Sequence, residues 1–290
     1  IWQRLAIFGY LAAVALSVAV MLFGREINGS KRWLALGPFS FQPSEFAKVA
    51  LILFLADLVT KNVKTIGKMW TLCRIMFWIL PIVGLVGASN LSTAIIILGI
   101  GVILIFVASP KYAQFALMGL AGACFMGLFL ALESYRLERL AIWRNPEKYE
   151  KGYQTLQGLY AIGSGGVFGV GLGNSVQKLG FVPEAQNDMI FSIICEELGL
   201  AGAGIIVFLF LLLIWRFFMI ASGSRDLFGA LIATGAMAHM MIQVILNIAV
   251  VTNTIPNTGI TLPFISYGGT SVMFLLIEMG LVLSVSQVVD

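Results

Sequence analysis

The stretch Leu198–Ile220, LGLAGAGIIVFLFLLLIWRFFMI, decides the fold class. It carries one charged residue, Arg216. A helix needs ~20 mostly apolar residues to cross the hydrocarbon core of a bilayer, and this stretch is long enough. Working outward, seven further runs read the same way: roughly Leu5–Phe23, Glu45–Val59, Leu72–Gly87, Leu91–Ala108, Phe115–Leu132, Leu227–Val251 and Ser271–Ser286. Composition agrees. Apolar residues make up 59% of the chain and charged residues 11%, against about 45–50% and about 25% in a soluble domain. So few charges do not cover a soluble surface. The expected fold is an all-α polytopic membrane protein of eight transmembrane helices, one membrane domain over residues 1–290.

The first run follows Trp2, Gln3 and Arg4, and no small-residue cleavage site comes after it, so it does not read as a cleavable signal peptide. The numbering starts almost inside a helix, which leads us to expect more chain on the N-terminal side. Three cysteines, Cys73, Cys124 and Cys195, lack metal or redox spacing and are expected as small core residues.

Orientation follows from the basic loop holding Lys61, Lys64, Lys68 and Arg74, because cytoplasmic loops carry the Lys/Arg excess. Alternation then puts Gly24–Ser44, Glu133–Asn187 and Thr252–Thr270 on the outer side. That side holds Arg25, Lys31, Arg32, Arg136, Arg139, Arg144, Lys148, Lys151 and Lys178. Two readings stay open for these cations: they bind an anionic ligand at the outer face, or they balance Glu26, Glu133, Glu138, Glu147 and Glu150.

The loop Glu133–Asn187 is long enough to be functional rather than a simple connection. It opens with Tyr135-Arg136-Leu137-Glu138-Arg139 and includes the glycine-rich run from Gly163 to Gly173. No Lys-Ser/Thr follows those glycines, so they are not a phosphate loop. They are expected to let backbone turn sharply or dip into the membrane against other protein, where non-helical backbone is tolerated.

Ionisable residues at the membrane edges are the candidate chemistry, since each is costly in lipid. Glu45 and Lys48 lie three apart, on one helix face and in reach of each other. Glu184 and Asp188 lie four apart just after Pro183, at an expected helix start. Glu196, Glu197 and Glu278 read as helix-end partners or members of ion pairs. His239, Gln243 and Asn247 make a polar stripe along one helix, of the kind that joins helices.

Four stretches together resemble one family. They are Asn28-Gly29-Ser30-Lys31-Arg32-Trp33 with Phe41-Gln42-Pro43-Ser44-Glu45-Phe46-Ala47-Lys48; Gly152-Tyr153-Gln154 with Ser175-Val176-Gln177-Lys178; Pro183-Glu184-Ala185-Gln186-Asn187-Asp188 with Cys195-Glu196-Glu197-Leu198-Gly199; and Leu262-Pro263-Phe264-Ile265-Ser266-Tyr267-Gly268-Gly269. In content and order they resemble the SEDS proteins (shape, elongation, division and sporulation), the group of FtsW, RodA and SpoVE. Asn187-Asp188 is more like the division and sporulation branch than like RodA.

The resemblance implies ten helices, so two more on the N-terminal side. It implies a peptidoglycan glycosyltransferase that joins lipid II units outside the bacterial cytoplasmic membrane. It matches Asp188 to the family's catalytic aspartate, Glu45 and Lys48 to its Glu/Lys pair, and Trp33 to the tryptophan of its first outer motif. It also implies a divalent cation (magnesium or manganese), and a class B penicillin-binding protein within a division or elongation complex as partner. One departure is Ala88-Ser89-Asn90-Leu91-Ser92-Thr93, where many members carry an aspartate.

The residues fit that chemistry. Transfer from a lipid diphosphate needs a base, cations for the leaving group and an apolar flank. Asp188 is the candidate base. Lys31, Arg32, Arg136, Arg139, Lys48 and Lys178 are candidate cations for the diphosphate. Glu45, Trp33, Gln177 and Glu184 complete the expected substrate-binding set. An α-linked donor and a β-linked product call for one inverting displacement. No dedicated metal motif and no nucleic-acid partner are expected. The rival reading is a lipid flippase, which shares the helices and buried charges but ordinarily binds near the midplane between internal repeats. A scaffold that recruits division partners is a third.

Overall fold

The computed structural model describes residues 2–27, 30–36, 39–116, 119 and 140–287. Its helices are α1 (Trp2–Phe23), α2 (Pro43–Asn62), α3 (Met69–Ser89), α4 (Leu91–Ala108), α5 (Tyr153–Gly165), α6 (Ile190–Gly223), α7 (Leu227–Val251) and α8 (Gly269–Ser286). Six of them, α1, α3, α4, α6, α7 and α8, are long and apolar enough to cross a membrane. Helix α2 is comparable in length but carries Glu45, Lys48, Asp57 and Lys61. The expected run Phe115–Leu132 lies mostly outside the described residues, as do Cys124 and the charged stretch 135–139.

The chain divides into two compact units, one of Ile1–Gln114, Ile214–Ile242 and Gly268–Asp290, the other of Phe115–Leu213 and Gln243–Tyr267. In the first unit α2 packs against α1, α3, α4 and α8. That central place explains why its apolar residues are buried along the helix, among them Ala47, Leu51, Leu55 and Val59. Tyr10 of α1 stacks on Phe54 of α2 with ring centroids 4.4 Å apart. Its hydroxyl donates to the Trp78 carbonyl at 2.8 Å, which gives a buried polar tip its partner. Gly235 of α7 lets that helix approach α2: a Cβ there would come within 2.6 Å of Ile52.

Outward-facing positions are apolar too, including Trp70 and Phe77 on α3 and Phe208 and Leu211 on α6. Lipid-facing surface has that composition. Cys73 belongs to this surface: it is exposed, contrary to the expected core position, whereas Cys195 is buried.

The segment expected as an outer loop holds a small antiparallel sheet, β1 (Arg25–Ile27), β2 (Ser30–Leu36) and β3 (Phe39–Phe41), in the order β1-β2-β3. Arg25 pairs with Trp33, Glu26 with Lys31, and Leu34 with Phe41. The described residues are otherwise mainly helical, as expected, and the sheet is a small addition to that fold. Asn28-Gly29, which separates β1 from β2 in sequence, is a strong hairpin signal, and Trp33, Phe39 and Phe41 favour strands.

Between α3 and α4, Asn90 closes one helix and opens the next. Its N–H donates to the Val86 carbonyl, and its side chain accepts from the Thr93 N–H at 3.2 Å. An asparagine caps a helix start as well as an aspartate does, so the departure at this position keeps the local structure.

In the second unit the glycine run meets a break in α6. Gly199 sits at φ 67° and ψ −169° inside the helix. The break frees backbone groups on both sides, and the run satisfies them. Val170 and Gly171 N–H donate to the Glu196 and Glu197 carbonyls at 2.9 and 3.0 Å, while Leu200 and Ala201 N–H donate to the Gly166 and Val167 carbonyls at 2.9 and 3.0 Å. Buried backbone groups need such partners. Only glycine fits the approach, since a Cβ on Gly169 would lie 2.1 Å from the Glu197 oxygen. The expectation that these glycines lay backbone against other protein holds.

Candidate active site

Where a helix start was expected just after Pro183, the third motif instead forms a turn that delivers Asp188 just ahead of α6, so Glu184 and Asp188 do not share a helix face. Glu184 adopts a left-handed φ of 53°. The Asn187 N–H donates to its carbonyl at 2.9 Å, and the Asn187 side-chain amide donates to its carboxylate. The fourth motif grips the same turn. Ser266 Oγ donates to the Asn187 carbonyl at 2.6 Å and accepts from the Leu262 N–H at 2.7 Å. Tyr267 N–H donates to the Gln186 carbonyl at 2.8 Å. Two motifs far apart in sequence thus hold one turn.

Asp188 is 8% exposed. Its carboxylate Oδ1 accepts from Gln154 Nε2 at 3.3 Å. The same amide nitrogen donates to the Pro183 carbonyl at 3.2 Å. Gln154 Oε1 accepts from Asn257 Nδ2 at 3.0 Å, and Asn257 Oδ1 accepts from the Gly259 N–H at 3.2 Å. From behind, Asn247 of α7 donates through Nδ2 to the Asp188 carbonyl at 2.9 Å and the Ile260 carbonyl at 2.6 Å. Gly259, at φ 67°, leaves room beside the acid: a Cβ there would stand 3.7 Å from Oδ2.

Burial pushes the Asp188 carboxyl up from its ordinary 3.8 to about 6. Its own main-chain N–H opposes the rise, the negative charge of Glu184 adds to it, and the Gln154 amide opposes it. Such a group is largely ionised at neutral pH yet is a better proton acceptor than an ordinary aspartate, as a general base requires.

The other expected residues in this unit are placed more plainly. Glu184 is exposed. Gln177 and Lys178 form a short turn. Lys178, expected as a cation for the diphosphate, is paired: its Nζ lies 2.6 Å from Glu197 Oε1 and donates to the Gly173 carbonyl at 2.6 Å. Glu197 Oε2 also accepts from the Gly173 N–H at 2.9 Å. Glu196 accepts from the Val176 N–H at 3.1 Å and from the Ser175 hydroxyl. The two glutamates thus hold residues 173–178, in keeping with their reading as partners.

In the first unit Lys31 is exposed and Arg32 and Trp33 are half-buried on β2. Arg32 Nε donates to the Ser89 carbonyl at 3.0 Å, beside a small cavity that Ser17, Ser44 and Asn90 also line. Glu45 and Lys48 pair at 3.0 Å, and both are buried. His239 of α7 meets Glu278 of α8 with Nδ1 2.8 Å from Oε2. Of the polar stripe, His239 joins two helices as expected, whereas Gln243, in the second unit, donates through Nε2 at 3.1 Å to the Thr261 carbonyl in the segment after α7. Arg136 and Arg139 lie outside the described residues. Among the described residues no three His, Cys, Asp or Glu side chains gather as a metal site.

Sequence reasoning did not single out Gln154, Asn257 and Gly259 as site residues. Gln154 stood in a quoted motif, and an amide two residues from a glycine after Pro256 was the only hint of the Asn257 turn.

Comparisons with known proteins cover the same ground. The profile of the FtsW, RodA and SpoVE group, described as cell cycle protein, matches residues 1–290. Stage V sporulation protein E of Bacillus subtilis (strain 168) is 43% identical, over 91% of this chain and 73% of its own. The probable peptidoglycan glycosyltransferase FtsW of Thioalkalivibrio sulfidiphilus is 36% identical, over 99% of this chain and 74% of its own. A solved chain from a peptidoglycan synthase complex that coordinates polymerization and crosslinking aligns with a TM-score of 0.84 at 31% identity, over 99% of this chain and 82% of that one.

Proposed function

This chain belongs to the FtsW, RodA and SpoVE family, and on that premise we propose that it is a peptidoglycan glycosyltransferase with Asp188 as its general base. The observation that carries the assignment of the base is the buried Asp188 carboxylate, held by Gln154 and raised in proton affinity. The relatives' names carry the activity.

The reaction joins a lipid II donor to an acceptor glycan. Asp188 takes the proton from the acceptor hydroxyl. The acceptor oxygen forms a bond to the anomeric carbon of the donor while the bond from that carbon to the diphosphate oxygen breaks. The leaving lipid diphosphate carries away the electron pair. One displacement inverts an α-linked donor into a β-linked product and needs no covalent enzyme intermediate. Lys31 and Arg32, with Arg136 and Arg139, are the cations proposed for the diphosphate. Trp33, Gln177 and Glu184 are the other residues proposed to bind substrate. Lys48 and Lys178 already pair with Glu45 and Glu197 and are proposed to act by holding their elements in place.

A divalent cation is proposed as a companion of the substrate's diphosphate rather than the occupant of a protein cage. A magnesium-type ion is ordinarily held by one or two carboxylates together with phosphates. We also propose eight spanning helices in this chain, Phe115–Leu132 and α2 completing the six. Residues 133–187 and Asp188 face outward from the bacterial cytoplasmic membrane. A class B penicillin-binding protein is the proposed partner, which the likeness to a chain of a peptidoglycan synthase complex supports.

The test is polymerisation of lipid II by the purified protein with a divalent cation and the partner transpeptidase, beside Asp188→Asn. Long glycan from the native protein, lost in a variant that still folds and binds its partner, is the expected result. Equal product from both removes Asp188 from the role. Lipid II scrambling across vesicles without product points instead to a flippase.

A further inference from the structure

We infer that Asn257 and Gln154 are positioning residues: an amide relay from Asn257 through Gln154 fixes the donor that faces the Asp188 carboxylate. This rests on the reading of Asp188 as the base, and it adds two residues to that reading.

A glutamine side chain has one accepting and one donating end. Turned one way it donates to a carboxylate; turned the other way it sets oxygen against oxygen. At Gln154 the choice is made by its second neighbour. Asn257 Nδ2 donates to Gln154 Oε1 at 3.0 Å, so the oxygen is taken and Nε2 is left for Asp188 Oδ1 at 3.3 Å and the Pro183 carbonyl at 3.2 Å. The orientation of Asn257 is determined in turn by main chain. The Gly259 N–H donates to Asn257 Oδ1 at 3.2 Å, which turns Nδ2 toward Gln154. The donors run Gly259 N–H, Asn257 amide, Gln154 amide, and the Asp188 carboxylate is the final acceptor. Every step has one direction, because a backbone N–H only donates and an ionised carboxylate only accepts.

The arrangement couples a helix start and a loop to the acid. Gln154 comes from the first turn of α5, and Asn257 from the segment after α7. Among the described residues, Glu184 is the charged group that bears on Asp188. The relay opposes its influence, since a donor to the ionised form favours that form. A position that never touches the carboxylate therefore sets how readily it accepts a proton.

The experiment is the pH dependence of lipid II polymerisation by the full chain with its partner, run on Gln154→Glu, Asn257→Asp, Asn257→Ala and Gln154→Ala/Asn257→Asp beside Asp188→Asn. A carboxylate at 257 accepts rather than donates, so Gln154 turns its oxygen toward Asp188. The acid limb of the profile should move up by about one pH unit in Gln154→Glu and Asn257→Asp. It should also move up, by less than in Asn257→Asp, in Asn257→Ala, where Gln154 Oε1 loses the donor that holds its amide in place, and an unmoved limb in that variant overturns the relay. With Gln154 replaced by alanine, Asn257→Asp should produce no further shift. A persistent shift in that background assigns the effect to the new charge itself and overturns the relay. Lower turnover with an unmoved limb in Gln154→Glu and Asn257→Asp also overturns it. Infrared titration of the carboxylic band that disappears in Asp188→Asn supplies a readout free of turnover. Should Asp188→Asn polymerise normally, the base assignment fails, and the movement of that band still decides whether Gln154 and Asn257 control the acid.

Discussion

His239 of α7 and Glu278 of α8 face each other with Nδ1 2.8 Å from Oε2, each side chain 2% exposed. Neither was assigned the other as partner from sequence, since 39 residues separate them. A buried ionisable pair is poor evidence for added stability, but removing one member leaves the other uncompensated, at a cost of about 3–5 kcal/mol. His239→Leu should therefore lower the detergent melting temperature sharply. His239→Leu with Glu278→Met should recover much of the loss. Thermal unfolding followed by tryptophan fluorescence checks both, and an unchanged melting temperature in the single variant would sink the argument.

Asp188→Asn should remove polymerisation by about 10²–10⁴-fold and yet stabilise the fold at neutral pH. The folded carboxyl titrates at about 6 against an ordinary 3.8. A raised acid binds its proton more tightly in the folded state, so stability falls as pH rises from below 3.8 through 6. At pH 7 the ionised group costs at most about 3 kcal/mol, which asparagine does not incur. Melting temperatures of the two proteins should differ most at pH 7 and converge toward pH 4.

Glu196 and Glu197 should differ in what they hold. Glu196 is buried and accepts from the Ser175 hydroxyl and the Val176 N–H, so Glu196→Ala leaves buried donors unpaired, at about 1–3 kcal/mol. Glu197 pairs with a partly exposed Lys178, and Glu197→Gln should cost no more than about 1 kcal/mol. Hydrogen exchange over residues 173–178 should rise strongly in the first variant and slightly in the second. The reverse order would contradict these contacts.

Gly169→Ala should be poorly tolerated, because φ is 77° and the new methyl would lie 2.1 Å from the Glu197 oxygen. Gly204→Ala, in the same helix as the break but with open space around it, should be neutral or gain up to about 1 kcal/mol. Yield of folded protein by size-exclusion chromatography separates them, and equal yields would refute the role of the glycine run.

The membrane character and most of the helices were legible in the chain, because a bilayer imposes a length and an apolarity that leave runs such as Leu91–Ala108 no other reading. The special residues were legible as types. Asp188 stood out as an acid after a proline at a helix mouth, and the glycines from Gly163 to Gly173 as backbone meant for close approach. The sheet at Arg25–Phe41 was missed, since three short strands have too little periodicity to separate from loop. The exposed place of Cys73 was missed because an apolar helix in lipid has no outward polar face to mark it.

What the sequence by itself determined is therefore set by local rules: span length, helix caps such as Asn90, and which side chains titrate. What only the tertiary structure decided is partnership. Lys178 goes to Glu197, His239 to Glu278, and Asn257 reaches Asp188 through Gln154, 103 residues away in sequence. The hydrogen bonds that orient an acid and the burial that raises its proton affinity depend on distances in space, and spacing along the chain carries no record of them once the helices have folded back on one another.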